Sequence, residues 1–374
     1  MHSDLGAIRQ PAEVRYADEL AALRAWDQST GAAIPPGWRL SPKAVRAFII
    51  GDAKLTGMPR TLGVVRKFYG DDPLIDRAIV TLMGRQGLML VGEPGTAKSM
   101  LSELLAAAIS GNSNLTVQGT AGTTEDHIRY SWNYALLLAD GPSERSLVKS
   151  PIYQAMLSGQ VARFEEITRA APEIQDTLVS ILSEKQLMVP ELGSDARVWA
   201  RPGFNIVATA NLRDRGVNEM SAALKRRFNF ETVRPIADRK YEIELITRQL
   251  DQELGDERKH VTIDRNVIEL LVTAFRDLRS GATDEGTVIK RPETVMSTAE
   301  AVNVAVAAAL EARYLGNGHM TAAEVARQLA GVALKDNAED ASRLRFYADT
   351  VVRERARRDP AWKAFQSAAL KTWG

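Results

Sequence analysis

Eight consecutive residues, Gly92-Glu93-Pro94-Gly95-Thr96-Ala97-Lys98-Ser99, carry the strongest chemical signal in the chain. Glycines let backbone N–H groups converge on anionic oxygens. A helix starting beside the lysine adds unpaired donors and the positive end of its dipole. The ammonium and hydroxyl groups then divide the work. Lys98 reaches the terminal phosphates of a nucleoside triphosphate, and Ser99 offers its oxygen to Mg²⁺. Contacts to the nucleotide are expected from Gly92 through Met100. The residue before the lysine is usually glycine, and here it is Ala97. At positive φ an alanine would cost about 1–2 kcal/mol. In a helix it is neutral or better, and a helical Ala97 is the expectation. A bare glycine turn with a solvent-facing lysine is the duller alternative, but strand, turn, Lys-Ser and helix all agree on the first.

Hydrolysis needs a second strand ending in acid, for the metal and for the attacking water. Val161-Ala162-Arg163-Phe164-Glu165-Glu166 fits, although Arg163 interrupts the apolar run. Glu165 is expected to hold Mg²⁺ through water and Glu166 to act as general base. The first carboxylate is usually aspartate, so the extra methylene of Glu165 loosens the metal geometry. A third run, Phe204 to Ala208, leads to Asn211, placed to orient the water or bond the γ-phosphate. The duller alternatives are a solvated acidic pair and an ordinary turn asparagine.

Short strands separated by helices must position these groups. Apolar runs at Leu88–Val91, Leu115–Val117, Val161–Phe164, Phe204–Ala208 and Phe228–Val233 read as buried parallel strands of an α/β sheet. Gln186 to Val189 and Arg197 to Ala200 read as a β-hairpin inserted before the strand at 204. After about 235 the pattern is helical, at 237–253, 264–279, 291–312, 321–334 and 340–357. The domains expected are a helical N-terminal region (1–60), the α/β core (61–235), a helical lid (236–340) and a helical extension (341–374).

Composition sets the limits. Lys plus Arg (48) nearly cancels Asp plus Glu (47), so no global charge draws the chain to nucleic acid. Without cysteine, disulfides and thiolate metal sites are excluded. Met1-His2-Ser3-Asp4 opens no secretory signal, and apolar runs such as Val304 to Leu310 are too short to span a membrane. A cytoplasmic protein is the expectation.

In this order the residues resemble AAA+ ATPases, and specifically the MoxR family. The resemblance covers about residues 60–335. It rests on Gly92 to Ser99, Phe164 to Gln175, Ile206 to Asn211 and Ala223-Leu224-Lys225-Arg226-Arg227-Phe228. Glu165-Glu166 in place of Asp-Glu marks a divergent subfamily. The resemblance implies ATP and Mg²⁺ as cofactors, a sheet of order 5-1-4-3-2 and a helical lid. It also implies an insert near Tyr130 to Ser150 which, with the hairpin, faces the pore of a hexameric ring. Asn211 matches sensor 1. Arg227, rather than Arg226, matches the arginine finger that reaches the neighbouring subunit's γ-phosphate. Arg291 is the candidate for sensor 2, at the start of a lid helix. Relatives act beside a separate chain carrying a von Willebrand factor A domain and are thought to remodel protein complexes. The leading expectation is therefore a homo-oligomeric chaperone-like ATPase with an unidentified protein client. Two alternatives remain: a weakly hydrolysing scaffold or switch, suggested by Ala97 and Glu165, and a DNA-directed motor, disfavoured by a hairpin that is not strongly basic. The arginines after Asp340 read as the solvated face of one helix.

Overall fold

The computed structural model describes residues 9–51, 63–211, 216–334 and 338–373. The Met1-His2-Ser3-Asp4 opening lies outside them. Contacts divide the chain into two units. One takes the chain up to Glu93 together with Ala97–Arg234, and the other Pro94–Thr96 together with Pro235–Gly374.

The first unit is built on a five-stranded, all-parallel sheet: β1 (Gly87–Val91), β2 (Thr116–Gln118), β3 (Val161–Glu165), β4 (Asn205–Ala210) and β5 (Phe228–Thr232). In space the order is β2-β3-β4-β1-β5. This is the 5-1-4-3-2 sheet expected. Each apolar run becomes a strand within a residue or two of its expected bounds. β1 and β4 lie in the interior and are buried at every position, so their sequences are apolar throughout rather than alternating.

Alternation still decides which face each side chain joins. Leu88, Leu90, Val161 and Val207 pack with Leu101, Leu105 and Ile75 from helices Lys98–Ser110 and Asp72–Met83. Met89, Phe164, Ile206 and Ala208 pack on the opposite side with Ile152, Met156, Leu178 and Ile181 from helices Pro151–Ser158 and Pro172–Glu184. The N-terminal helices Ala17–Thr30 and Pro42–Ile50 join the first face through Leu23, Val45 and Phe48. Ser41 caps the second of them by accepting from the Ala44 N–H. Arg15 (2.7 Å) and Arg9 (3.2 Å) reach the buried Glu103 on helix Lys98–Ser110.

Both inserts form. Tyr130–Trp132 pairs antiparallel with Leu147–Lys149 around a short helix, Tyr134–Asp140, that buries none of its residues. Gln186–Met188 pairs with Arg197–Trp199, as the hairpin signal implied.

The second unit is helical: Arg239–Leu254, Arg265–Ser280, Thr298–Tyr314, Ala322–Ala333, Ala338–Tyr347 and Pro360–Thr372 share one core. Leu271, Phe275, Leu329, Tyr347 and Phe365 are fully buried within it. Two expectations are corrected here. The lid helix expected over 291–312 begins at Thr298, where Ser297 and Glu300 form a reciprocal capping box. The arginines after Asp340 are not all a solvated face. Arg355 is clamped between Asp277 (2.6 Å) and Glu285 (2.8 Å) and lies over the Trp362 ring. Arg343 pairs with the buried Asp340, whose carboxylate also caps the N–H groups of Glu293 and Thr294.

Candidate active site

Parallel strands deliver their C-terminal ends to one edge of the sheet, and that edge gathers the chemistry. β1 ends at Val91 and leads into the glycine-bearing loop, β3 ends at Glu165, and β4 ends one residue before Asn211.

The loop enters helix Lys98–Ser110 through Ala97. Ala97 has φ 67 and ψ 23, in the left-handed region. The expectation of a helical Ala97 is thus corrected. The helix starts at Lys98, and its N-cap adopts the conformation for which glycine is the usual residue. The Ala97 carbonyl accepts from the Leu101 N–H at 2.9 Å, the bond that opens the helix. Lys98 is partly buried, and its Nζ donates to the carbonyls of Gly92 (2.9 Å) and Glu93 (2.7 Å). Burial holds the Lys98 ammonium below its ordinary pKa, and Glu166, Glu165 and Glu93 pull it part of the way back. Glu93 and Ser99 are exposed, and Met100 is half-buried against the core.

Glu165 is the best-connected side chain of the group. Oε2 accepts from Ser99 Oγ at 2.6 Å and from Thr209 Oγ1 at 2.7 Å. Oε1 accepts from Ser102 Oγ and, at 2.8 Å, from Arg163 Nη2. Burial alone would raise the pKa of this carboxyl. Arg163 and the hydroxyls of Ser102, Ser99 and Thr209 more than reverse that, so it lies below the usual carboxylate value. The residue that broke the apolar pattern is therefore the partner of the acid. Val161, Arg163 and Glu165 share one face of β3, the face toward helix Lys98–Ser110.

Glu166 is the first residue past β3 and is half-exposed, with its carboxylate paired to Arg169. Its φ of 52 is also left-handed. The turn is held from both neighbouring strands. Glu166 N–H donates to Thr209 Oγ1 at 2.9 Å, and Gly119 N–H, just past β2, donates to the Glu165 carbonyl at 2.7 Å. A side chain at Gly119 would not fit, because a Cβ there would sit 2.3 Å from the Glu166 carbonyl oxygen.

The site expectations thus meet in part. Lys98, Ser99, Glu165 and Glu166 belong to one cluster, and Asn211 follows the strand that supplies Thr209. Arg227 lies just before β5, with Nε bonded to Ser183 Oγ, while Arg226 beside it is exposed. Arg291 is exposed ahead of the lid helix and donates to the Ser280 carbonyl at 2.8 Å. Sequence reading missed Arg163, Ser102, Thr209 and Gly119. Only Arg163 left a signal, as a charge within an otherwise apolar strand.

The residues fit Mg²⁺. This ion binds through few protein groups, keeping waters and taking phosphate oxygens. Among the described residues no cluster of three or more His, Asp or Glu side chains forms an all-protein cage. The Ser99 hydroxyl gives its proton to Glu165, which leaves its lone pairs for a cation.

The chain is similar to several known proteins. The family described as AAA domain (dynein-related subfamily) matches residues 87–228. That described as YehL-like AAA+ ATPase C-terminal domain matches 240–368. The protein YehL of Escherichia coli (strain K12) is 49% identical over 361 residues, covering 96% of each chain. A protein of Staphylococcus haemolyticus is 27% identical over 159 residues, 42% of this chain and 59% of that one. Among solved structures, NtrX from Brucella abortus in complex with ADP has a TM-score of 0.48 at 12% identity, over 79% of this chain and 63% of that one.

Proposed function

Because the chain belongs to the YehL-like AAA+ ATPases, we propose that it hydrolyses ATP as a MoxR-type, chaperone-like ring that remodels or activates a protein complex. One observation carries the reading. The Ser99 hydroxyl beside Lys98 is bonded directly to Glu165 at 2.6 Å, so the phosphate loop and the acid strand form a single site.

In this reading the backbone amides of Gly92 to Met100 and the Lys98 ammonium bind and orient the triphosphate. Mg²⁺, bound with the nucleotide, would neutralise charge on the phosphates. Ser99 would be its protein ligand, with Glu165 behind it fixing the direction of the hydroxyl. Glu166 takes the proton of the attacking water, and Asn211 orients that water from the end of β4. The turn that carries Glu166 is tied to β2 and β4, which keeps the base in register with the phosphates.

The oligomer enters through Arg227. Arg227 directly precedes the edge strand β5, and the resemblance makes it the finger. A finger supplied by a neighbour is worth about 10³–10⁵ in rate. Turnover per subunit should therefore rise steeply with protein concentration. Arg227→Ala should abolish that rise and leave ATP affinity intact. Turnover that is flat with concentration in the unaltered chain would sink the ring. The insert helix Tyr134–Asp140, with Tyr134 and Leu138 exposed, and Trp199 on the hairpin offer apolar surface to a client. A separate chain with a von Willebrand factor A domain is the partner the resemblance suggests.

A second reading, a slow nucleotide switch, is favoured by the strained Ala97 and by the four protein donors on Glu165. Glu166→Gln separates the two. In a motor it stops phosphate release while ATP still binds, and in a switch it changes almost nothing.

A further inference from the structure

Glu165 is one methylene longer than the aspartate usual at its position, and its strand carries an arginine two residues earlier. The contacts join these two departures. Arg163 donates to Glu165 Oε1 (2.8 Å), Ser102 Oγ (2.9 Å) and the backbone carbonyls of Ser99 (3.0 Å) and Ser113 (3.1 Å). It also reaches Thr116 Oγ1 at 3.4 Å. One guanidinium thereby ties the first turn of helix Lys98–Ser110, the segment beyond its end, and the acid at the end of β3.

We propose that Arg163 is a positioning residue for the metal site, which together with Ser102 anchors the outer oxygen of Glu165 so that Oε2 holds the Ser99 hydroxyl toward Mg²⁺. This rests on the nucleotide-binding reading above. The longer side chain is then a requirement of this site and not a loosening of it.

The geometry gives the reason. Both oxygens of Glu165 are saturated, two donors on each, which is the full acceptor capacity of a carboxylate. Glu165 thus has no free site for direct ligation and acts through Ser99. An aspartate on the same backbone would withdraw the oxygens by about one carbon–carbon bond, ~1.5 Å. Contacts now at 2.6–2.8 Å would then lie beyond the hydrogen-bond limit of about 3.5 Å. Arg163, whose side chain is 12% exposed, would lose its carboxylate. Restoring the commoner residue should therefore harm this protein. An ordinary buried ion pair would affect stability but not the metal-dependent part of nucleotide binding.

The test measures equilibrium binding of a fluorescent ATP analogue, with Mg²⁺ and with EDTA. The proteins are the unaltered chain, Lys98→Ala, Glu165→Asp, Arg163→Lys, Arg163→Leu and the double variant Arg163→Leu with Glu165→Asp. The gain in affinity from Mg²⁺ should fall about tenfold or more in Glu165→Asp, the scale of losses when an outer partner of a metal ligand is removed. Arg163→Lys keeps the charge but cannot span the same acceptors, and it should lose several-fold. The double variant should lose as much of the gain as Glu165→Asp, because an aspartate there cannot reach the Ser99 hydroxyl whether or not Arg163 is present. If the unaltered chain binds Mg²⁺–ATP in a Lys98-dependent way and Glu165→Asp gains as much from Mg²⁺ as it does, the proposal is overturned while the nucleotide site stands. Should Glu165→Asp fail to fold, an unchanged Mg²⁺ gain in Arg163→Lys overturns it equally. If the unaltered chain binds no nucleotide, the underlying reading fails and takes the proposal with it.

Discussion

Replacing Ala97 with glycine should stabilise the protein, although alanine-to-glycine changes inside helices ordinarily weaken it. Ala97 sits at φ 67, ψ 23. An L-residue there costs about 1–2 kcal/mol against the ordinary right-handed conformation. Glycine removes most of that penalty but gives the unfolded chain more freedom, worth about 0.4–1 kcal/mol in the opposite direction. The difference is a net gain of about 0.5–1 kcal/mol. The unit carrying Ala97 has roughly 230 residues, a size at which 1 kcal/mol moves the midpoint by about 2–4 °C. Ala97→Gly should therefore raise Tm by about 1–4 °C in a calorimetric scan without nucleotide. Ala107 provides the control in the right-handed part of the same helix, buried in its last turn. Ala107→Gly should lose about 1 kcal/mol of helix propensity and about 0.8 kcal/mol for the buried methyl. Opposite signs at the two positions are expected. If Ala97→Gly lowers Tm as Ala107→Gly does, Ala97 is not left-handed in solution and the strained phosphate loop is wrong.

Lys185 follows the last helical residue before the hairpin, and its ammonium is buried with no hydrogen-bond partner among the described residues, over the Phe204 ring. Burial pushes its pKa down to about 8. The folded state therefore holds this proton less firmly than the unfolded chain, whose lysine titrates near 10.4. The penalty is complete below about pH 8 and fades as pH rises toward the unfolded value. Lys185→Met should raise unfolding stability at neutral pH by about 1–3 kcal/mol, with the gain shrinking in alkaline buffer. A destabilised methionine variant at neutral pH would contradict this. Gly119→Ala places a methyl 2.3 Å from the Glu166 carbonyl, and no side-chain rotation can relieve a clash with backbone. Unfolding stability should drop by about 1–3 kcal/mol, and turnover should fall further than ATP affinity. Wild-type stability would show that the turn has room to move.

Much of the fold was legible because burial on both faces leaves an unmistakable mark. Leu88-Met89-Leu90-Val91 and Ile206-Val207-Ala208 admit no polar residue, and each is too short for a helix. Parallel order then brings Lys98, Glu165 and Asn211 to one edge without any further information. Backbone conformation was not legible. Ala97-Lys98-Ser99-Met100 reads as a helix from composition, and nothing in an alanine announces a positive φ. The start of the lid helix was missed for another reason. The start was placed beside Arg291, while the true signal was Ser297 followed by Glu300, the same box that Thr321 and Glu324 form ahead of helix Ala322–Ala333. Arg163 was visible but misleading. A charge in an apolar run looks like a defect until the residue two places on is seen to need it.

The two left-handed non-glycine residues at the site, Ala97 and Glu166, suggest why the surroundings are so heavily tied. Such conformations persist only where neighbouring structure over-determines them. At Glu166 the ties come from β4, through Thr209, and from the end of β2, through Gly119. At Ala97 they come from the opening bond of the helix and from Lys98 gripping the carbonyls of Gly92 and Glu93. Glu165 links the halves, since its Oε2 accepts from Ser99 on one side and, on the other, from Thr209, whose hydroxyl also accepts from the Glu166 N–H. Arg163 links them again, by touching both the Ser99 carbonyl and Glu165. A shift of the phosphate loop is therefore passed to the Glu165–Glu166 turn through the Ser99–Glu165 bond and through Arg163. In the function proposed above, nucleotide binding at Lys98 and the placement of Glu166 as base are in this way a single mechanical event.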